Sequence, residues 1–170
     1  MIRFVSQAFR NYNATGAIAP SSRFLARAMV ESMPCTEGQQ ILEVGCGTGA
    51  FTKAILKNLK AGDEFHAVEV NTDFCNSVEQ DILSPFRIQH PDINIVLHNE
   101  LIEEAPLEGQ FDAIICGLPF NNFPVTLVTH IFDTMFGFLK EGGELSYFEY
   151  LGMRRIKCIF GTRAVRNSTK

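Results

Sequence analysis

Between residues 40 and 150 short apolar runs alternate with amphipathic stretches, so the period of the pattern switches repeatedly between two and about 3.6. The apolar runs are Ile41–Val44, Phe65–Val70, Ile93–Leu97, Phe111–Cys116 and Leu145–Phe148. Several are too continuously apolar to have a wet face, as expected of central strands covered on both sides. Between them, Phe51–Leu59, Thr72–Leu83 and Val125–Leu139 carry apolar residues at helical spacing, and Val125, Val128, Phe132, Met135 and Leu139 are expected on one face. Asn71–Thr72 offers an N-cap for the second of these helices, and Gly142–Gly143 supplies left-handed residues to end the last. Upstream, Ser21–Met33 predicts a further helix, with Ser21 and Ser22 as caps and Phe24, Leu25, Ala28 and Met29 as its apolar stripe, packed across a sheet edge. Strands alternating with helices imply βαβ units, hence an α/β fold with a doubly wound, mostly parallel sheet. Residues 1–12 set Ile2, Val5, Phe9 and Tyr12 beside Arg3 and Arg10. So short a helix is not stable alone in water and must dock, either on its own domain or on a membrane interface.

The first strand runs into Gly45-Cys46-Gly47-Thr48-Gly49 and then into a helix, with Glu43 two residues before the first glycine. Glycines at such a turn let the backbone fold sharply and approach a ligand, and the free amides of the helix start face that ligand. Glu69 follows the next strand, 26 residues after Glu43, where an acid can accept both hydroxyls of a ribose. Together these residues describe a site for an adenosine-bearing molecule. Gly45-x-Gly47-x-x-Ala50 also fits a loose dinucleotide pattern, but Glu43 weighs against it, because an apolar strand residue is usual at that position.

An acid before three glycines resembles motif I of the Rossmann-like S-adenosylmethionine-dependent methyltransferases. The resemblance implies S-adenosylmethionine as cofactor and S-adenosylhomocysteine as product. It implies a cofactor site made of Glu43, Gly45, Cys46, Gly47, Thr48, Gly49, Glu69, Val70, Asn99, Glu100 and Gly117, with Glu43 meeting the cationic methionine moiety and Asn99 meeting adenine. His98, beside it, reads as a loop or core histidine rather than a catalyst.

After the fourth strand the chain reads Gly117-Leu118-Pro119-Phe120-Asn121-Asn122-Phe123-Pro124. In amino-methylating enzymes this loop carries the acceptor contacts; ribosomal RNA adenine dimethyltransferases have Asn-Leu-Pro-Tyr there, and this chain has Gly-Leu-Pro-Phe. With Thr15-Gly16-Ala17-Ile18-Ala19-Pro20-Ser21-Ser22-Arg23-Phe24-Leu25-Ala26, the loop resembles bacterial phospholipid N-methyltransferases, which act on phosphatidylethanolamine. The resemblance implies catalytic positions at the Leu118 carbonyl, Asn121 and Tyr150. It also implies substrate contacts from Ser22, Arg23, Phe120 and Phe123. Three segments follow: an N-terminal helical part covering the site (1–34), the cofactor-binding Rossmann-like domain (35–150) and a basic C-terminal segment (151–170). Few residues remain after Tyr150 for the last two strands that such a sheet usually has, so its C-terminal edge is expected to be reduced or missing.

Charge sharpens the choice of partner. The net charge of −4 hides four Arg and one Glu in residues 1–34 and six basic with no acidic residues in 151–170, which leaves five basic against eighteen acidic between them. Basic ends can be merely solvated, or they can meet an anionic surface. An acidic central domain is unsuited to a nucleic-acid backbone. The expectation is an N-methyltransferase of a phospholipid head group, cytoplasmic and in peripheral contact with the inner face of the membrane. The alternatives are an RNA adenine or small-molecule amine methyltransferase, or a non-catalytic S-adenosylmethionine-binding module. No apolar run reaches bilayer length, the N-terminus lacks a signal-peptide pattern, and the five cysteines show no C-x-x-C spacing, so reduced thiols and no metal are expected.

Overall fold

The computed structural model describes residues 22–148. The helix expected within 1–12, the segment Thr15–Ser21, the Ser22 side chain, Glu149, Tyr150 and the basic segment 151–170 lie outside the described residues. Helix α1 (Ser22–Val30) leads to β1 (Gln40–Val44), α2 (Thr52–Leu56), β2 (Glu64–Val68) and α3 (Thr72–Val78). A π turn (Glu79–Leu83) joins α3 to α4 (Ser84–Gln89), and β3 (Asn94–His98) follows. A turn-rich stretch then reaches β4 (Phe111–Cys116), and a 3₁₀ turn (Phe120–Asn122) precedes α5 (Val125–Phe138) and β5 (Leu139–Tyr147).

The five strands form one parallel sheet in the order β3-β2-β1-β4-β5. The direction of winding reverses between β1 and β4, so a crevice opens beyond their carboxyl ends, where ligands bind in open α/β sheets. Two apolar layers bury the sheet. On one face Ile41, Phe65, Ala67 and Ile115 pack with residues of α1, α2, α3 and the π turn. On the other, Leu42, Val44, Ile114 and Cys116 pack with α5 and with Leu101, Ile102 and Ala105. Cys46, Cys75 and Cys116 are buried free thiols, Cys46 and Cys116 within these layers, and Cys35 is exposed.

Asn71 caps α3 as expected, its side chain accepting from the amides of Asp73 and Phe74. Four elements differ from the sequence reading. Helix α1 buries Ala26, Met29 and Val30, with Met33 buried in the turn after it, whereas Phe24 is 86% exposed and Ala28 is exposed too. Phe24 stands two residues before Ala26, about 200° round the helix, and so faces away from the sheet. Helix α5 buries Leu127, Ile131 and Met135, with Val128 and Phe132 flanking and Val125 exposed. Gly142 has φ +78 but lies in an irregularity of β5, where pairing jumps from Phe111↔Leu139 to Ala113↔Glu144; α5 ends at Phe138. The helix expected to end at Leu83 runs on through the π turn, in which the Ser84 amide reaches back five residues to the Glu79 carbonyl. Pro85 has no amide to give and would crowd the turn behind it, and the wider turn accommodates it. Glu79 also accepts from the Ser84 hydroxyl at 2.6 Å and pairs with Arg87.

Candidate active site

The glycine turn is fixed at both flanks by backbone bonds from neighbouring strand ends. The Gly45 amide donates to the Val68 carbonyl and the Gly117 amide to the Val44 carbonyl, both at 2.8 Å. Gly45, Gly47 and Gly49 all have positive φ. A Cβ on Gly45 would stand 2.4 Å from Leu118 Cδ2, and one on Gly49 would stand 2.2 Å from Ile82 Cδ1. Gly47 differs, with open space around its Cα, as a position facing a ligand requires. Cys46 is buried between the glycines and Thr48 is exposed on the rim.

Two carboxylates flank this turn. Glu69 is 8% exposed, its Oε2 accepting the Gly47 amide at 2.9 Å and its Oε1 the Asn71 amide at 2.8 Å. Each oxygen keeps a second lone pair for a further donor. Glu43 is fully buried. Its Oε2 accepts the Thr52 hydroxyl at 2.7 Å, and its Oε1 has no partner among the described residues. Burial pushes this carboxyl up to about 8, against the pull of the Thr52 hydroxyl and with added repulsion from Glu69.

Beside the turn lies a solvent-open cleft lined by Val44, Gly45, Val68, Glu69, Val70, Glu100, Leu101, Ile102, Glu103, Leu118 and Ile131. The floor is apolar, and three carboxylates with no basic side chain make up its charged lining. Such a field attracts a cation and repels the phosphates of a dinucleotide. Asn99 is exposed and not among the lining residues: its Nδ2 donates to the Glu69 carbonyl at 2.9 Å and its Oδ1 accepts the Thr72 hydroxyl at 2.8 Å. His98 is a core histidine, its ring 2.9 Å from that of His66, which in turn contacts Glu64 at 3.0 Å.

Beyond β4, Leu118 is buried against Gly45, and its carbonyl accepts the Phe120 amide at 3.0 Å. Asn121 is half-buried. Phe120 and Phe123 are buried in the apolar layer, Phe120 forming ring contacts with Phe123, Phe132 and Tyr147. Arg23 is exposed on α1. The sequence reading did not include Thr52, nor Leu101, Ile102, Glu103 and Ile131 of the cleft. The only local hint of Thr52 is a hydroxyl three residues beyond Gly49, at the start of a helix. Among the described residues no group of three or more His, Cys, Asp or Glu side chains is placed to hold a metal ion.

The whole arrangement fits a cationic, adenosine-bearing cofactor: a glycine turn with open space at Gly47, a buried carboxylate oxygen without a partner, and an acidic cleft with an apolar floor. Comparison with known proteins agrees. The Methyltransferase domain family model matches residues 41–143. The ornithine lipid N-methyltransferase of Singulisphaera acidiphila is 24% identical over 84% of this chain and 74% of its own length. The ribosomal RNA small subunit methyltransferase A of Synechococcus sp. is 28% identical over 70% of this chain, which spans 39% of that protein. Among solved structures, coclaurine N-methyltransferase bound to N-methylheliamine and S-adenosylhomocysteine superposes with a TM-score of 0.54 at 17% identity, over 78% of this chain and 37% of that one. A glycopeptide N-methyltransferase complexed with sinefungin gives 0.57 at 16% identity, over 78% of this chain and 51% of that one. The chain thus spans about half or less of these two solved structures. With a family model matching residues 41–143 and a sheet wound as in its structural neighbours, the chain belongs to the methyltransferase domain family, with the Rossmann-like fold of S-adenosylmethionine-dependent enzymes.

Proposed function

We propose that this protein transfers a methyl group from S-adenosylmethionine to the amine of a lipid head group, such as that of phosphatidylethanolamine. The observation that carries the cofactor half is the fully buried Glu43, its Oε1 unpartnered among the described residues, two residues before a glycine turn that adjoins an acidic cleft. A sulfonium cofactor bearing an α-ammonium group suits both. In this reading Glu69 receives the ribose hydroxyls on its remaining lone pairs. Val70, Leu101 and Leu118 enclose the adenine, with Glu100 at its edge, and Asn99 braces the Glu69 backbone. Cys46, Gly47 and Thr48 present backbone to the methionine part, while Gly45, Gly49 and Gly117 permit the close packing of the turn.

The cofactor supplies an electrophilic methyl group, and the protein's work is to present a neutral amine to it, held in line and away from water. Neutralising an ammonium group of ordinary pKa at pH 7 costs roughly 5 kcal/mol. A carbonyl or amide oxygen near the cleft mouth orients the free amine by accepting one of its hydrogens. The Leu118 carbonyl has a lone pair left for this after accepting from Phe120, and Asn121 stands three residues on. Tyr150, Ser22 and Arg23 belong to the same proposal as contacts to the head group, and Phe120 and Phe123 as the apolar backing of the acceptor loop.

The lipid half rests on the ornithine lipid N-methyltransferase relative, on the loop after β4, and on the basic amphipathic character of residues 1–12 in the sequence. No helix among the described residues is long and apolar enough to cross a membrane, and the proposed contact with lipid is a peripheral one. The test is incubation with labelled S-adenosylmethionine, mixed anionic vesicles containing phosphatidylethanolamine, and ribosomal RNA in parallel. Label in the organic phase, lost in Glu69→Ala, is the expected result. Label confined to RNA would transfer the reading to the class of the ribosomal relative, and label in neither fraction despite cofactor binding would overturn the lipid assignment.

A further inference from the structure

A carboxylate buried beside a ligand turn, with one oxygen held and the other unpartnered, is arranged for a ligand that brings its own donor. Glu43 is fully buried on β1, where its register partners are the apolar Ala67 of β2 and Ile115 of β4. Across from it, Thr52 of α2 is itself fully buried and donates its hydroxyl to Oε2 at 2.7 Å. Oε1 has no partner among the described residues. The titratable groups around it are few. Glu69 stands at the end of β2 and Cys46 in the turn itself, with Cys75 of α3 behind Cys46. Both thiols are held neutral by burial, Cys75 being pushed up to about 11. Lys53, the cation next in sequence to Thr52, is exposed. No described cation therefore compensates Glu43 in the free protein.

Building on the cofactor reading above, we propose that Thr52 is a positioning residue whose hydroxyl fixes the Glu43 carboxyl with Oε1 reserved for the cofactor's α-ammonium, and that this carboxyl releases one proton to solvent when that cation binds. The balance is simple. The acid form loses H⁺ to the buffer, the resulting carboxylate pairs with the ammonium, and no bond to carbon changes. Burial keeps Glu43 up at about 8 in the free protein, so near neutral pH it is mostly the acid. An arriving cation stabilises the carboxylate and lowers its pKa. Affinity then rises with pH, by up to tenfold per unit, until Glu43 is ionised in the free protein near pH 8, and falls at higher pH once the ligand's own α-ammonium loses its proton. Thr52 holds the charged form, so its removal moves the whole curve to higher pH.

The experiment is calorimetric titration of S-adenosylhomocysteine into the protein at pH 6–9 in buffers of different ionisation enthalpy. 5′-Methylthioadenosine, which has the nucleoside but no amino acid, is the comparison ligand. The wild type is expected to release about one proton per S-adenosylhomocysteine at pH 6–7 and none with 5′-methylthioadenosine. Glu43→Gln abolishes the release. Thr52→Val shifts the affinity profile to higher pH, and Thr52→Ser restores it. Binding of both ligands without proton release overturns the Glu43 proposal and leaves the cofactor reading intact. Failure of both ligands to bind overturns the cofactor reading itself. A Thr52→Val protein that is merely less stable, with an unmoved pH profile, overturns the positioning role.

Discussion

Replacing Glu69 by alanine is expected to weaken S-adenosylhomocysteine binding by at least about 100-fold while leaving the parallel sheet folded. The carboxylate already holds two backbone amides, Gly47 on the turn and Asn71 at the start of α3, and its remaining lone pairs are the proposed acceptors for the ribose. Hydrogen bonds to a charged group contribute about 1.5–3 kcal/mol each. Two lost together give roughly 3–6 kcal/mol, and every 1.4 kcal/mol is about tenfold in affinity. The alanine variant also leaves the Gly47 amide without its acceptor, so the turn is held less firmly when the ligand arrives. Circular dichroism checks the fold and calorimetry the affinity. A variant that binds within about threefold of the wild type contradicts the assignment of Glu69.

The second large effect is on stability. Gly49→Ala sets a side chain at φ +80 with its Cβ 2.2 Å from Ile82 Cδ1 and 3.3 Å from Val78 Cγ2. The left-handed backbone costs about 1–2 kcal/mol and overpacking a filled site about 1–3 kcal/mol. The melting temperature should fall by roughly 5–15 °C, given about 2–4 °C per kcal/mol for a chain of this size. Two comparisons separate the contributions. Gly47→Ala, at φ +52 with nothing near its Cβ, should lose only the backbone part. Adding Ile82→Val to Gly49→Ala removes the clashing methyl and should recover about 1 kcal/mol relative to the sum of the single changes. Additive losses would show that the close approach to the π turn is not what makes Gly49 necessary.

The strands were legible because burial on both faces requires apolar runs, and Ile41–Val44 and Phe111–Cys116 have no other reasonable use. The observed β4 coincides with its run, the ends of β1, β2 and β3 differ from theirs by one or two residues, and β5 differs by more. Its first residues, Leu139 to Gly143, read as the end of the preceding helix and its glycine stop, with a charged pair between, yet Leu139 pairs with Phe111 before the irregularity. The π turn was not legible, because Ser84-Pro85 looks like a stop and only the wider turn allows the helix to pass it. Phe24 was misplaced because a bulky aromatic near an apolar stripe suggests burial, whereas helix phase, set by Ala26, Met29 and Val30, puts it outside.

At the site, Glu43, the glycines and Glu69 were readable from order alone, since a strand-to-helix turn fixes which of them come together. Asn99 was readable as a polar residue after β3, but its bonds to Thr72 and the Glu69 carbonyl depend on how the loop closes. Thr52, Ile102 and Ile131 reach Glu43 or the cleft only through tertiary packing, and no local pattern marks them.

The most direct test of the central claim is a crystal structure of this chain with S-adenosylhomocysteine. The account predicts the adenosine in the cleft between Val70 and Leu118, the ribose hydroxyls on Glu69 and the α-ammonium on Glu43 Oε1. A ligand bound elsewhere, or one in the cleft whose ribose stays clear of Glu69, would contradict it.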